Sequence, residues 1–171
     1  YHIIKPYLAN MLPELTNPVI LTADLGFAKH GRRYAMGLNI PLSFIEKRRI
    51  DNHDHTEALN LIGDVKHRDV ILIDDEVDTG GSICEAVETA RLNSARDIYV
   101  VFIHPVLSSN AVQRLAALPV KRFITTNTIP LSESQIATFG DRLTVLSVGP
   151  LLGEVIKRTN QSTSVGALFN E

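Results

Sequence analysis

Asp74 and Asp75 follow the apolar run Val70-Ile71-Leu72-Ile73, and Asp78, Thr79, Gly80, Gly81 and Ser82 come close behind them. Three of the four apolar residues are β-branched, which predicts a buried strand. The paired carboxylates end that strand, and a short loop leads into a helix from Ile83 to Leu92. Gly80 and Gly81 carry no Cβ, so backbone amides there are able to close on a ligand. Amides of this kind, placed ahead of a helix N-terminus, form a seat for an anion such as phosphate. The carboxylates repel such an anion and suit hydroxyl groups, or a metal ion, a few ångströms away. A ligand with phosphate at one end and vicinal hydroxyls beside it is a sugar phosphate. A strand ending in Asp-Asp before a Gly turn is also a plain strand-to-helix connection in many α/β proteins, and the specificity lies in the whole run. The run is neither a Walker A loop nor a Gly-x-Gly-x-x-Gly dinucleotide fingerprint.

Other residues offer chemistry with weaker signals. Thr22-Ala23-Asp24-Leu25-Gly26 is a second strand-to-loop junction. It is able to hold a pyrophosphate through backbone amides with Asp24 near a metal, although alone it reads as an ordinary turn. Lys47-Arg48-Arg49 opens a polar stretch. Such a run is usually a solvated face; its functional reading is a lid that closes over polyphosphate and neutralises charge developing in a transition state. Asp51, His53, Asp54 and His55 alternate in the same stretch and make a poor metal cage, since hard Mg²⁺ prefers oxygen ligands. His104 ends a strand near the expected site, where a structural and a ligand-contacting role are equally open. Cys84 reads as helix packing.

The elements that must position these groups alternate between strand and helix. Strands are predicted at Val19 to Ala23, Leu42 to Ile45, Val70 to Ile73, Asp97 to Ile103, Arg122 to Thr126 and Leu143 to Ser147. Helices are predicted at Tyr7 to Leu15, Phe27 to Leu38, Ile83 to Leu92, Ala111 to Leu118 and around Leu151 to Ile156. Lys47 to Thr56 is expected to be a mobile loop. Alternation of this kind gives an α/β fold with a doubly wound, mostly parallel sheet. Ligands in such sheets sit beyond the carboxyl ends of the strands, where Asp24, Glu46-Lys47 and Asp74-Asp75 are all expected.

With 171 residues the chain is long enough for one domain with a full core. A net charge of −2 argues against a general nucleic-acid binder. The single cysteine excludes an intrachain disulfide and fits a reducing cytoplasm. No apolar run reaches membrane-spanning length and no signal-peptide pattern is present. Tyr1 opens the chain in mid-pattern, which suggests a piece of something longer.

The run from Asp74 to Ser82 resembles the phosphoribosyl-binding motif of the phosphoribosyltransferase fold (type I). The wider chain is similar to the C-terminal half of the ribose-phosphate pyrophosphokinases, the phosphoribosyl pyrophosphate synthetases. The markers are Glu46-Lys47-Arg48-Arg49, Gly63-Asp64-Val65, Asp74 to Ser82, His104-Pro105-Val106-Leu107-Ser108 and Thr126-Asn127-Thr128-Ile129-Pro130. Leu146 to Leu152 and Ser164 to Phe169 complete the set. The resemblance implies transfer of the β,γ-diphosphoryl group of ATP to the anomeric hydroxyl of ribose 5-phosphate, with Mg²⁺. It implies that Asp74 and Asp75 hold the ribose hydroxyls, and that Asp78, Thr79, Gly80, Gly81 and Ser82 bind the 5-phosphate. Lys47 and Arg49 match the family's catalytic loop cations, and Asp24 and Gly26 its pyrophosphate loop, with Asp24 near the metal. It further implies residues 1–171 as one domain of a two-domain synthetase, a nucleotide-holding domain ahead of Tyr1, and a homo-oligomer built from dimers into hexamers. Three positions depart from the family pattern: Phe27 replaces a glycine, His30 an arginine and Gly166 a common serine. The competing expectations are a phosphoribosyltransferase that uses the same loop and a non-catalytic synthetase-like regulatory subunit.

Overall fold

A computed structural model of the chain describes residues 1–49 and 57–169. Seven strands form one sheet: β1 (Val19–Thr22), β2 (Leu42–Arg49), β3 (Glu57–Ile62), β4 (Val70–Val77), β5 (Ile98–Pro105), β6 (Arg122–Thr126) and β7 (Leu143–Leu146). Among the described residues six α-helices accompany them: α1 (Ile4–Met11), α2 (Ala28–Leu38), α3 (Gly81–Leu92), α4 (Ala111–Ala116), α5 (Glu133–Phe139) and α6 (Gly149–Asn160). The strand order is β3-β2-β1-β4-β5-β6-β7. All neighbours pair in parallel except β2 and β3, which are antiparallel. This is the doubly wound, mostly parallel α/β sheet expected from the sequence.

β4 has a neighbour on each edge and helices over both faces, so its apolar run need not alternate with polar residues. Val70 and Leu72 join the core beneath α3, α4 and α5, together with Ile83, Leu115 and Phe139. Ile71 and Ile73 point the other way and pack with Leu8 of α1 and Tyr34 and Leu38 of α2. One strand therefore seals two cores, and all four of these residues are fully buried.

Several boundaries differ from the expectation. The first helix is α1, Ile4–Met11, followed by a 3₁₀ turn at Leu12–Glu14, and not Tyr7 to Leu15. Pro6 sits early in α1, where its missing amide costs no intrahelical bond. β4 runs on to Val77, so Asp74 and Asp75 lie within the strand and do not end it. Lys47, Arg48 and Arg49 lie in β2, paired with Leu59, Ala58 and Glu57, and not in a loop. Residues 50–56 of the expected lid fall outside the described residues. α5 was not foreseen, although Ser132 and Gln135 spell a capping box: the Gln135 amide donates to Ser132 Oγ at 3.3 Å, and the Ser132 amide to Gln135 Oε1 at 2.8 Å.

Gly31 of α2 and Gly153 of α6 differ in their surroundings. A Cβ on Gly31 would run into Thr22 Cγ2 where α2 crosses β1, whereas one on Gly153 would meet nothing within 4 Å. Gly153→Ala is therefore expected to raise unfolding free energy by about 0.5–1 kcal/mol through helix propensity. Gly31→Ala is expected to lower it by about 1–3 kcal/mol despite the same propensity gain. Urea denaturation of both variants checks the pair, and equal shifts would contradict the packing of α2 on β1.

Candidate functional site

The chain reverses direction across the sheet between β1 and β4. From β1 it winds outward to β2 and β3, then returns to the far side of β1 and proceeds through β5, β6 and β7. A crevice opens at the carboxyl ends of the strands where the winding reverses. Thr22 of β1 pairs with Ile73 of β4, so Asp24 leaves β1 beside Asp74 and Asp75.

Asp74 is half-buried, while Asp75 and Asp24 are exposed. Asp74 Oδ1 accepts the Asp75 amide at 3.0 Å, and Asp75 Oδ1 accepts the Glu76 amide at 2.9 Å. Burial pushes the Asp74 carboxyl up to about 7, and the charges of Asp75 and Asp24 add to that rise, while the amide bond from Asp75 opposes it. The influence of Asp24 on Asp74 ties the two strand ends into one acidic site. On its own side, Asp24 Oδ1 accepts the Phe27 amide at 2.9 Å, and the Thr22 hydroxyl donates to the Asp24 carbonyl at 3.1 Å. This closes a compact turn through Gly26. Phe27 begins α2 as a buried side chain stacked on His30, with ring centroids 5.1 Å apart. Phe27, His30, Tyr34 and Asp75 line a small cleft of about 140 Å³. The bulk of Phe27 thus lies in the core beneath α1 and α2, and the turn it caps keeps its compact shape.

Beyond Val77 the loop Asp78-Thr79-Gly80 delivers the chain to α3, with Gly81 and Ser82 as its first two residues. Gly80 is at φ +76°, a left-handed conformation that glycine adopts without a Cβ penalty. The first amides of a helix lack intrahelical acceptors and carry its positive dipole end, so Gly81 and Ser82 offer donors to an anion. The loop is held from behind. Leu107 donates its amide to Val77 O at 2.9 Å, Ser108 donates to Asp78 O at 3.1 Å, and Arg114 Nη1 donates to Thr79 O at 3.1 Å. Arg114 was missed in the sequence because nothing separates it there from any exposed helical cation.

β2 is matched to β1 with Phe44 opposite Thr22. Lys47 therefore lies about 10 Å farther along the strand direction, past the carboxyl end of β1, and Arg49 farther still. Their side chains are not among the described atoms. His104 lies in β5 next to Glu76, with Nδ1 3.0 Å from the Thr128 hydroxyl, which itself donates to the Ile103 carbonyl at 3.1 Å. That bond holds the ring in place, in keeping with the structural reading. Cys84 is half-buried in the first turn of α3, and burial pushes its thiol up, so it acts as packing. Among the described residues, no three His, Cys, Asp or Glu side chains gather into a closed metal cage. No helix among them is long and apolar enough to cross a membrane.

Residues 50–170 match the family described as the phosphoribosyl synthetase-associated domain. The ribose-phosphate pyrophosphokinase of Helicobacter pylori is 38% identical over 155 residues, which cover 91% of this chain and 47% of the relative. That of Nostoc is 41% identical over 157 residues, covering 91% of this chain and 46% of the relative. The crystal structure of phosphoribosylpyrophosphate synthetase from Mycobacterium smegmatis superposes with a TM-score of 0.83 at 34% identity. The match covers 93% of this chain and 50% of that one. The chain spans about half the length of the curated relatives it matches. The likeness supports the phosphoribosyltransferase-like fold class, and the matched span is most of the chain: it belongs to the phosphoribosyl synthetase-associated domain family.

Proposed function

We propose that the protein carrying this chain is a ribose-phosphate diphosphokinase and that this chain supplies its ribose 5-phosphate site. The observation that carries the reading is the convergence of Asp24, Asp74 and Asp75 with the Asp78–Ser82 loop at the reversal between β1 and β4. Two carboxylates side by side accept hydrogen bonds from two vicinal hydroxyls. The loop beside them, from Asp78 through Ser82, takes the phosphate ester on the same sugar. The sugar is then fixed at both ends, with its anomeric hydroxyl directed toward the turn at Asp24 and Gly26. There the anomeric hydroxyl releases its proton to solvent and its oxygen bonds to the β-phosphorus of ATP as the bond from that phosphorus to the bridging oxygen breaks, and the oxygen leaves with AMP. Lys47 and Arg49, on the strand that overruns β1, neutralise charge on the transferring group; Arg does so as a fork and Lys as a point charge.

Mg²⁺ fits this donor set. It takes hard oxygen ligands, uses only one or two carboxylates and shares the rest of its shell with substrate phosphates and water, so a closed protein cage is not required. Asp24 is the carboxylate that would hold it, beside Asp74, whose carboxyl is pushed up by burial first and then by the charges of Asp75 and Asp24. When bound there, the ion supplies charge compensation to the polyphosphate. A cytoplasmic setting is supported by the single, unpaired Cys84. Homo-oligomerisation is supported by α6, which buries none of its residues and leaves Leu152 54% and Ile156 69% exposed.

The proposal is tested by incubating the protein with ATP, Mg²⁺ and ribose 5-phosphate and following AMP. In a protein of the relatives' full length, steady AMP release dependent on ribose 5-phosphate is expected. The 171-residue chain alone is expected to bind ribose 5-phosphate calorimetrically and to release no AMP, because no donor-holding surface is evident among the described residues. Absence of ribose 5-phosphate binding by the chain would overturn the reading. Lys47→Ala and Arg49→Ala are each expected to lower the maximal rate by about 10²-fold, the scale of one electrostatic stabiliser, with ribose 5-phosphate affinity nearly unchanged. Rates at the wild-type level would remove both cations from the mechanism.

Asp74 adds a pH signature. Its carboxyl titrates near 7 in the fold against an ordinary 3.8, so between those values the folded form holds a proton that the unfolded chain has released. That stability is present at low pH and is lost as pH rises through 7. Asp74→Asn does not titrate, so its stability relative to wild type is expected to climb from pH 5 to pH 8. Parallel urea-denaturation curves for the two proteins across that range would show that Asp74 is not perturbed.

A further inference from the structure

The anion loop is steered through its carbonyl groups. Val77, Asp78 and Thr79 are consecutive, and all three carbonyls are taken by the segment that follows β5: Leu107 N–H on Val77, Ser108 N–H on Asp78 and the Arg114 guanidinium on Thr79. No peptide bond among the described residues is cis. In a trans peptide the carbonyl and the next amide point in opposite directions. Anchoring the three carbonyls on one side therefore turns the amides of Asp78, Thr79 and Gly80 to the other. Among the described residues, the Thr79 and Gly80 amides find no acceptor in the turns and loops. They are left directed outward, in line with the first amides of α3.

The clamping segment is itself held in a costly shape. Leu107 at φ +48° and Ser109 at φ +53° both occupy the left-handed region, which non-glycine residues rarely adopt. Leu107 is only 5% exposed and packs in the same core as Val77, Ile83 and Leu115, so burial maintains the shape. Arg114 differs from that backbone clamp. It projects from α4 as an exposed side chain while its neighbour Leu115 is fully buried. Its Nη1 lies 4.0 Å from the point a Cβ on Gly81 would occupy. A guanidinium in that position reaches the first turn of α3 as well as Thr79.

We infer that Arg114 is a positioning residue for the phosphate end of the sugar phosphate. By holding the Thr79 carbonyl it aims the Gly80 amide at the anion, and it brings a permanent positive charge to the edge of the loop. The inference rests on the loop being the 5-phosphate seat.

Calorimetric titration of wild type, Arg114→Gln and Arg114→Lys with ribose 5-phosphate tests it, alongside amide NMR on adding inorganic phosphate. Arg114→Gln is expected to weaken ribose 5-phosphate binding by about 10-fold, the scale of one hydrogen bond to a charged group. Arg114→Lys, which keeps a charge and a donor, is expected to recover most of that loss. The Thr79 and Gly80 amide resonances should move with phosphate in wild type and move less in Arg114→Gln. Wild-type affinity in a folded Arg114→Gln protein would overturn the inference while leaving the site assignment intact. An Arg114→Gln chain that is unfolded without ligand would make the residue a fold element and overturn it also. Failure of the wild type to bind ribose 5-phosphate would instead remove the functional reading on which it rests.

Discussion

Parallel pairing of β1 with β4 is the constraint from which the site follows. Val19 to Thr22 are all buried, as are Val70 to Ile73, and their one-to-one register from Val19 opposite Val70 to Thr22 opposite Ile73 leaves neither strand free to slip. A shift by one residue would turn every side chain of a strand to the opposite face and empty both cores at once. The register also fixes what lies past the last pair. Asp24 must emerge next to Asp74 and Asp75, although fifty residues of chain separate them. Because the winding reverses between these two strands, no crossover helix covers the gap, and the carboxylates face an open crevice.

The two ends of that crevice have opposite electrostatics on a short length of chain. Asp74 and Asp75 are followed almost at once by the Thr79 and Gly80 amides, which find no acceptor in the turns and loops among the described residues. Within β4 the carboxylates use neighbouring amides, Asp74 that of Asp75 and Asp75 that of Glu76, which limits how far burial raises Asp74. Beyond Val77 the carbonyls turn toward the segment after β5, and the polarity of the exposed backbone changes sign. A ligand that is cationic or hydroxylated at one end and anionic at the other satisfies both halves, whereas a simple anion or a simple cation satisfies only one.

Two of the seven non-glycine residues at positive φ among the described residues, Leu107 and Ser109, lie beside the site. Gly80 takes its left-handed conformation freely, while Leu107 and Ser109, which have side chains, take theirs under constraint. The segment following β5 thus holds the loop through the Val77, Asp78 and Thr79 carbonyls. Its anchor is the apolar packing of Leu107 with Val112 and Leu115, an ordinary core interaction that here sets the direction of polar groups several residues away.

By itself the sequence determined the class of fold and pointed to a candidate site. Apolar runs such as Val70 to Ile73, broken at regular intervals by helical spacing, permit little besides a sheet covered on both faces, because only that arrangement buries such runs completely. The adjacency of carboxylates and glycines was equally legible, since both lie on one short piece of chain. What lies between distant pieces was not. Tertiary structure alone decided that β4 carries Asp74 and Asp75 inside the strand, since β5 continues beside it as far as Pro105. It decided that Lys47 and Arg49 belong to an antiparallel ribbon, because the partner that turns a polar run into a strand, Glu57–Ile62, comes later in the chain. It decided the placement of Arg114, whose guanidinium meets the Thr79 carbonyl thirty-five residues before it. Local spacing encodes what one element will be; which groups meet across elements is set by register and packing, and these exist only once the two cores have closed.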